Sequence, residues 1–256
     1  MSWLRRLIGR HPVEPVRRVV PPGIRVYAVG DVHGRLDCLL ALERRIADDV
    51  AARGGGRSLV IYLGDLIDRG PDSAGVLTHL ASAAPAPFER RFLRGNHERM
   101  FESVLDAGAG IADWKTLGGL DLMASYGVSL PAGVGAEADA ALLAALRRSV
   151  PLAHLRLLSE LETLIVVGDY VFVHAGLRPG VPLGQQTEAD LLWIRDEFLQ
   201  SRADFGRTVV HGHTPVAEPE RRPNRINVDT GAYATGRLTA VRLEGEDVEM
   251  LSVWLQ

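Results

Sequence analysis

Short glycine-flanked clusters of Asp, Asn and His carry the side chains of this sequence that are best suited to chemistry. Three of them occur within the first hundred residues, as GDVHG, GDLIDRG and RGNHE, and two later ones read VHAG and HGHT. Their carboxylate, amide and imidazole groups, with no thiolate among them, are typical ligands for manganese, iron or zinc. The neighbouring glycines permit tight turns and close approach of the backbone to a bound anion. The clusters therefore indicate metal-assisted chemistry on an anionic substrate.

Each cluster follows a predicted β-strand. The strands are predicted at Ile24–Val29 and at residues 59–63, 88–93, 163–167, 170–174, 207–211 and 225–228. Predicted helices alternate with them, at residues 36–50, 73–82 and 191–199, with another beginning at 98–105. This alternation indicates an α/β fold with a largely parallel sheet, in which ligand sites gather at the carboxyl ends of the strands. Clusters that are distant in the sequence are thus expected to converge.

Taken singly, each cluster also has a plainer structural interpretation. An Asp that follows a strand is usually a helix N-cap, so Asp31 or Asp65 alone would be interpreted that way. A lone His on a strand, such as His174, is more often a hydrogen-bonded core residue. Five clusters that all follow predicted strands weigh against a purely structural explanation of the set.

Two segments differ from the alternating pattern. Residues 1–22 carry five arginines, one glutamate and four prolines, and are predicted to form a basic, solvated N-terminal tail. A weak contact of this tail with an acidic lipid surface is the alternative. Residues 107–160 are first glycine-rich and then helical, over 136–150, with Pro151 fitting the start of a further helix. We expect them to form a helical cap inserted into one domain that spans residues 23–256.

The composition is that of an ordinary globular protein, with 46% hydrophobic residues, 24% charged residues and a net charge of −3 over 256 residues. This near-neutral balance argues against nucleic acid as a partner. The sequence contains no run of about 18 apolar residues, the length needed to span a membrane, and no apolar segment follows the N-terminal arginines as in a signal peptide. The single cysteine, Cys38, excludes an intrachain disulfide and favours a reducing compartment, so a cytoplasmic location is expected.

Cys38 and Arg44 fit the C-x5-R spacing of the cysteine-dependent phosphatases. That chemistry needs a loop of backbone N–H groups around the phosphate. The run CLLALER contains no glycine and consists of strong helix formers. Cys38 is therefore interpreted as a small apolar group on a helix face.

The ordered series GDVHG, GDLIDRG, RGNHE, VHAG and GHT resembles the metal-dependent phosphoprotein phosphatases of the calcineurin-like metallophosphoesterase superfamily. The resemblance covers about residues 24–230, and the run from His174 to Leu199 resembles the bacterial members. It implies an α/β calcineurin-like phosphoesterase fold, with mixed β-sheets sandwiched between helices. It also implies a serine/threonine protein phosphatase, which hydrolyses phosphomonoesters of a phosphoprotein or phosphopeptide by direct attack of a metal-bound hydroxide.

The resemblance further implies a site for two divalent metal ions. Asp31 and His33 would bind the first ion, and Asp65 would bridge both ions. The second ion would be completed by Asn96, His174 and His213. Manganese is expected, with iron or zinc as alternatives, because these donors accept all three metals. Two such ions would leave the site with a net positive charge that attracts a phosphate dianion.

Catalytic and substrate-binding roles follow from the same resemblance. His97 matches the general acid that protonates the leaving oxygen, and Asp68 matches the carboxylate that orients it. For Asp68, a salt bridge to the adjacent arginines is the alternative. A neighbouring carboxylate would raise the pKa of His97 and keep it protonated near neutral pH. The residues expected to grip phosphate oxygens are Arg69, Arg94 and Arg195, with Arg178 a weaker candidate. For Arg195, a charge on a helix surface is the alternative, and His211 is interpreted as a packing or supporting residue.

Two further functions stay open on the sequence alone. A diadenosine tetraphosphate hydrolase shares the early motifs, although the GHTP and LLWIRDEFL segments favour the protein phosphatase. A metal-binding regulator without catalytic activity is the other alternative. Such a protein would be expected to lack a ligand or the general acid, and none of these residues is missing here.

Overall fold

The structure is a computed structural model, and it describes residues 18–83, 87–130, 133 and 135–256. Most of the predicted N-terminal tail, residues 1–17, lies outside the described part of the chain. Residues 18–22, which the sequence pattern assigned to the tail, pack onto the rest of the molecule. Val20 is buried, and its backbone N–H donates to the carbonyl of Gly245 at 2.9 Å. The packed part of the chain thus includes a few residues before position 23.

Ten strands are arranged in two five-stranded sheets within the described residues. In chain order they are β1 (Ile24–Val29), β2 (Arg57–Tyr62), β3 (Glu89–Phe92), β4 (Ile165–Val167), β5 (Tyr170–Phe172), β6 (Thr208–His211), β7 (Glu220–Arg221), β8 (Arg225–Asn227), β9 (Arg237–Glu244) and β10 (Asp247–Trp254). The first sheet has the order β10-β9-β1-β2-β3, and the second has the order β4-β5-β6-β8-β7. In each sheet three adjacent strands are parallel, and the remaining strands pair antiparallel. Both sheets are therefore mixed.

The helices lie mainly between strands, as predicted. They are α1 (Leu36–Arg53), α2 (Ser73–Ala81), α3 (Asn96–Ala107), α4 (Ile111–Trp114), α5 (Leu120–Ser125), α6 (Ala136–Ser149), α7 (Leu152–Ser159), α8 (Glu188–Trp193), α9 (Asp196–Leu199) and α10 (Ala232–Thr235). A π-helical turn at Lys115–Gly119 joins α4 to α5. Among the described helices, none is both long and apolar enough to cross a membrane.

The alternation of side chains along β1 explains how the layers stack. Val26 and Ala28 point to one face of the first sheet and pack with Phe172 of the second sheet. Tyr27 and Val29 point to the opposite face and pack in the cluster that includes helix α1. Since successive side chains of a strand face opposite sides, this one strand contributes to both apolar layers. The other face of the second sheet packs against α8 and α9, so the two sheets lie between helices, which confirms the predicted α/β fold with mixed sheets sandwiched between helices.

Within the segment 107–160, the described residues are mostly helical and extend the helical layer beside the first sheet. α4 and α6 contact α3, whereas α5 and α7 contact α2. Trp114 and Leu146 are fully buried in the same cluster as the side chains of α1. The predicted insertion is therefore packed as a part of the core.

One predicted element differs in the structure. The helix expected over residues 191–199 is interrupted, since α8 ends at Trp193 and α9 begins at Asp196. Arg195 lies at the break with φ −130° and ψ −103°, well outside the helical region. The prediction of one continuous helix is wrong, and the break decides where the Arg195 side chain points.

Candidate active site

The predicted ligand clusters all lie beyond the carboxyl ends of parallel strands. Those of the first sheet follow β1, β2 and β3, and those of the second sheet follow β5 and β6. Because these strand ends face a common edge, residues distant in sequence are brought together. The residues brought together there, all buried, are Asp31, His33, Asp65, Asn96, His174 and His213.

The loops that carry these residues hold unusual backbone conformations. Among the described residues, the positive-φ positions that are not glycine are His33, Asp65, Asp68, Arg69 and His213, at φ from 43° to 70°. Left-handed backbone is unfavourable for a residue with a Cβ and persists only where the surroundings enforce it. Its confinement to these loops shows that the fold holds their geometry against a local cost.

Asp65 divides its two carboxylate oxygens between two groups of imidazoles. Its Oδ2 lies 3.5 Å from His33 Nε2 and 3.9 Å from His97 Nε2. Its Oδ1 lies 3.4 Å from His174 Nε2. The ligand atoms of His33, Asp65 and His97 lie within 4.8 Å of one another, as do those of Asp65, His174 and His213. A carboxylate placed in this way can bind one cation with each oxygen.

The tautomers of two histidines follow from their backbone partners. His33 Nδ1 donates to the carbonyl of Ile67 at 2.8 Å, and His174 Nδ1 donates to the carbonyl of Leu63 at 2.9 Å. A carbonyl oxygen only accepts, so the proton of each neutral ring is on Nδ1 and the lone pair is on Nε2. Both Nε2 atoms face Asp65, and metal-binding histidines are commonly oriented by such bonds.

The donor set of the second group fits a cation. His174 Nε2, His213 Nδ1 and Asn96 Oδ1 lie 2.9–3.2 Å from one another. His213 Nε2 is buried without a hydrogen-bond partner. Burial opposes the charged form of His174, but the neighbouring carboxylates, of which Asp65 contributes most, raise the pKa of its imidazole to about 10. A field that draws a proton to this imidazole also attracts a metal ion.

Asp31 joins the two sheets at this edge but stands outside both three-residue groups. Its carboxylate accepts the backbone N–H of His213, at 3.1 and 3.2 Å from its two oxygens. A Cβ at Gly212 would collide with Asp31 Oδ1, so only glycine permits this approach. Burial, followed by the nearby Asp229 carboxylate, raises the pKa of Asp31 well above its usual value. A cation beside Asp31 would offset that repulsion.

His97 and Asp68 form a buried pair beside the first group. His97 Nδ1 lies 2.7 Å from Asp68 Oδ2, and both side chains are essentially inaccessible to solvent. Burial opposes a charge on His97, but the Asp65 and Asp68 carboxylates outweigh it and raise the pKa of the imidazole. The pairing predicted for these residues is therefore present as a short hydrogen bond, rather than a salt bridge from Asp68 to the arginines.

The predicted arginines differ in where they point. Arg69 Nη1 lies 3.3 Å from His33 Nε2, and its guanidinium stacks on the Tyr233 ring at 4.8 Å. Arg195 Nη1 donates to the His213 carbonyl at 3.3 Å. Both thus lie beside ligand residues. Because its guanidinium is engaged by the His213 carbonyl, Arg195 differs from the alternative interpretation of a free charge on a helix surface.

Arg94 and Arg178 are directed to other partners. Arg94 lies 3.2 Å from a Glu102 oxygen and donates to the Leu158 carbonyl at 3.4 Å. Arg178 pairs with Asp190 at 2.6 Å and with Glu197 at 2.7 Å. The contacts of these two guanidinium groups are thus with residues outside the ligand cluster.

Two further residues have the structural surroundings that the sequence indicated. The ring of His211 packs edge-on against Phe198 at 5.0 Å, and burial lowers its pKa to about 3. Cys38 is buried in α1, and burial raises the pKa of its thiol to about 11. A thiol with so high a pKa is a poor nucleophile at neutral pH.

Glu98 has a supporting role that sequence reasoning missed. Its buried carboxylate accepts backbone N–H groups of Asp65 at 2.9 Å, Leu66 at 2.8 Å and Gly95 at 2.8 Å. Glu98 is the third helical residue after the N-cap Gly95, a position from which a glutamate can accept the N-cap backbone N–H, and this spacing was the available signal. The bonds to the loop after β2 required the tertiary structure.

Two partly exposed aromatic rings flank the cluster. Tyr233 lies edge-on to His33 at 5.3 Å and is 37% exposed. Trp193 lies edge-on to His213 at 6.5 Å and is 44% exposed. Each ring is thus beside a histidine of a different ligand group.

Two packed mixed sheets, with carboxylates and imidazoles converging at the strand ends, define a metal-dependent phosphoesterase architecture. The chain belongs to the calcineurin-like phosphoesterase family, whose model matches residues 24–244. The family implies divalent metal ions, which agrees with the two ligand groups. The chain is accordingly a metallophosphoesterase, a hydrolase.

Two relatives of this chain are named for different enzymatic activities. A serine/threonine-protein phosphatase 1 from Salmonella typhimurium is 30% identical, over 91% of this chain and 99% of its own length. A bis(5'-nucleosyl)-tetraphosphatase PrpE (asymmetrical) from Bacillus subtilis is 29% identical, over 88% of this chain and 92% of its own length.

Solved structures support the fold. A crystal structure provisionally assigned as a diadenosine tetraphosphatase superposes with a TM-score of 0.61 at 22% identity, covering 94% of this chain and all of that one. A serine/threonine phosphatase from Saccharomyces cerevisiae superposes with a TM-score of 0.55 at 15% identity, covering 92% of this chain and 81% of that one. At these identities the likeness concerns the fold alone.

Proposed function

We propose that this chain is a dinuclear metal-dependent phosphomonoesterase that dephosphorylates phosphoserine and phosphothreonine in proteins. The observation that carries the proposal is the position of the His97–Asp68 pair beside Asp65, whose two oxygens face separate ligand groups. A site of this kind combines two cation positions with a proton donor. The lone, buried cysteine suits a reducing compartment, and we propose the cytoplasm.

The proposed ligands divide between two ions. Asp31, His33 and Asp65 would hold the first, and Asp65 would share the second with Asn96, His174 and His213. Mixed oxygen and imidazole donors suit manganese, with iron or zinc as alternatives. When bound, two such ions supply a hydroxide nucleophile at neutral pH and neutralise the charge of the phosphate.

The general acid is proposed to be His97. Its Nδ1 is engaged by Asp68, so its Nε2, 3.9 Å from Asp65 Oδ2, is the nitrogen that can give a proton to the leaving oxygen. The alkoxide of serine or threonine is a strongly basic leaving group and departs readily only when it is protonated. The phosphate leaving groups of a dinucleoside polyphosphate are weak bases and need this help much less. A well-positioned acid therefore favours the phosphomonoester as substrate.

Arg69 and Arg195 are proposed to bind the phosphate oxygens of the substrate. Each lies beside a ligand residue and carries N–H groups suited to a bidentate contact. Arg94 could join them only after it leaves Glu102. Two arginines would thus provide the resting phosphate site.

A specific observation favours a dinucleoside polyphosphate as the second candidate substrate. Tyr233 and Trp193 are partly exposed and lie beside opposite ligand groups. Aromatic rings in such positions could stack with the bases of a dinucleotide. A diadenosine tetraphosphate hydrolase would use them, whereas a protein phosphatase needs no such stacking.

The proposal is tested by a comparison of kcat/KM for a phosphoserine peptide and for diadenosine tetraphosphate, with the manganese-loaded chain. We expect the phosphopeptide to be favoured by at least about tenfold. A preference for the dinucleotide, reduced by Trp193→Ala, would instead support the second candidate. No hydrolysis of either substrate by folded, metal-loaded protein would point to the catalytically silent regulator.

A further inference from the structure

Two side chains of the described residues donate to Asp68 Oδ2, and His97 is one of them. The indole Nε1 of Trp114 lies 3.0 Å from the same oxygen and 3.3 Å from Oδ1. Asp68 and Trp114 are both fully buried. We propose that Trp114 is a positioning residue, which fixes the Asp68 carboxylate and through it the orientation of the His97 ring. This inference rests on the proposed role of His97 as general acid.

The indole ring has little freedom to move away from Asp68. It stacks on Phe101 with the ring centroids 5.5 Å apart and the planes 27° from parallel. On another side it meets the backbone of Gly119, where an added Cβ would collide with the ring. The ring is thus enclosed by an aromatic side chain and by a close approach of the main chain. A donor fixed in this way keeps its hydrogen bond directional without a further loss of side-chain entropy.

The same segment also supports the residue after Asp68. The backbone N–H of Arg69 donates to the carbonyl of Gly118 at 3.2 Å. Gly118 has φ 116°, and a Cβ there would collide with Arg69. Asp68 and Arg69 both have left-handed backbone, at φ 70° and 67°. Because such a conformation persists only when neighbouring structure enforces it, the π-helical turn and Trp114 act together on this loop.

The carboxylate would be less constrained without the indole N–H. Asp68 Oδ2 would keep the bond from His97 Nδ1, while no other side chain among the described residues is shown donating to the carboxylate. A buried carboxylate that loses one of two donors can rotate about its side-chain torsions, and the imidazole that follows it would leave the productive orientation. The turn that carries Trp114 is in this sense a part of the acid site, because its indole N–H contacts the Asp68 carboxylate.

The first test replaces the ring while keeping it aromatic. Trp114→Phe removes the N–H and retains most of the packing against Phe101. In the manganese-loaded chain we expect kcat for a phosphoserine peptide to fall about tenfold, a fraction of the range that general acids contribute, with KM nearly unchanged. Hydrolysis of 4-nitrophenyl phosphate, whose leaving group is a weak base, should change much less. An equal fall for both substrates, or no fall for either, would overturn the proposal.

A double-mutant cycle separates positioning from general damage. Once Asp68→Ala has removed both acceptor oxygens, adding Trp114→Phe should cause little further loss, because the two residues act through one hydrogen bond. Fully multiplicative losses would contradict the proposal. The matched control is Trp254→Phe, the same substitution at an exposed indole that contacts Arg237, and it should leave kcat unchanged.

A spectroscopic measurement tests the hydrogen bond from Trp114 to Asp68 independently of enzymatic activity. The Trp114 indole N–H signal, assigned by its loss in Trp114→Phe, should be protected from hydrogen exchange and should shift in Asp68→Asn. An unprotected signal that does not move would overturn the proposal directly. If the contact is present but the wild-type chain hydrolyses neither monoester, the proposed function fails while the contact itself stands.

Discussion

The buried carboxylate of Glu98 accepts the backbone N–H of Asp65 at 2.9 Å. Asp65, whose carboxylate faces both ligand groups, is therefore held in place by Glu98. Glu98 also accepts the N–H of Gly95, the residue that precedes Asn96. One side chain therefore ties the loop after β2 to the start of α3. It fixes Asp65 and Asn96 relative to each other before any cation binds.

Glu98→Gln is predicted to destabilise the fold and to loosen the metal site. The amide has one acceptor oxygen, whereas the carboxylate serves several backbone N–H groups, so at least one buried donor loses its partner. The expected loss is about 1–3 kcal/mol in the free energy of unfolding. Chemical denaturation measures it, with Glu160→Gln at an exposed position as the control. Equal stability of the two variants would contradict the assigned role.

His97→Ala is predicted to slow turnover most for substrates with strongly basic leaving groups. Loss of a general acid should lower kcat for a phosphoserine peptide by about 10²–10⁴-fold. The effect on 4-nitrophenyl phosphate should be far smaller, since its leaving group needs no proton. Steady-state kinetics on both substrates provide the check. An equal loss on the two substrates would refute the role as acid.

Arg69→Ala is predicted to weaken phosphate binding more than Arg94→Ala does. Arg69 lies beside His33, whereas the guanidinium of Arg94 is engaged by Glu102. Removal of a charge-assisted contact to phosphate should raise the inhibition constant of inorganic phosphate roughly tenfold for Arg69→Ala. Arg178→Ala, whose partners are Asp190 and Glu197, is the control. A larger effect for Arg94→Ala would show that Arg94 leaves Glu102 when phosphate binds.

The part of the fold that could be predicted from the sequence is the part with strong local patterns. β1 and β2 are mostly apolar because nearly all of their side chains are buried on both faces of the sheet, and each strand is closely followed by a polar cluster. The hairpin of β9 and β10 was not anticipated. β10 is the edge strand of its sheet, and half-exposed side chains interrupt its pattern.

The orientation of individual side chains required the tertiary structure. Arg94 flanks a proposed ligand in the sequence, as Arg69 does, yet its guanidinium pairs with Glu102. Arg195 was expected within a helix, and its backbone instead breaks the helix. Trp114 and Asp68 are 46 residues apart, so no local pattern could pair them. Local sequence predicts which groups are present, while long-range contacts decide which of them meet.

Metal analysis of the purified protein tests whether two metal ions share the carboxylate of Asp65, as we propose. The wild-type chain and Asp247→Asn, a matched change at an exposed aspartate, should each bind two ions per chain. Asp65→Asn should bind both ions weakly, because the amide offers one oxygen ligand and no charge. Two tightly bound ions in Asp65→Asn, or a single ion in the wild type, would show that Asp65 does not bridge two ions.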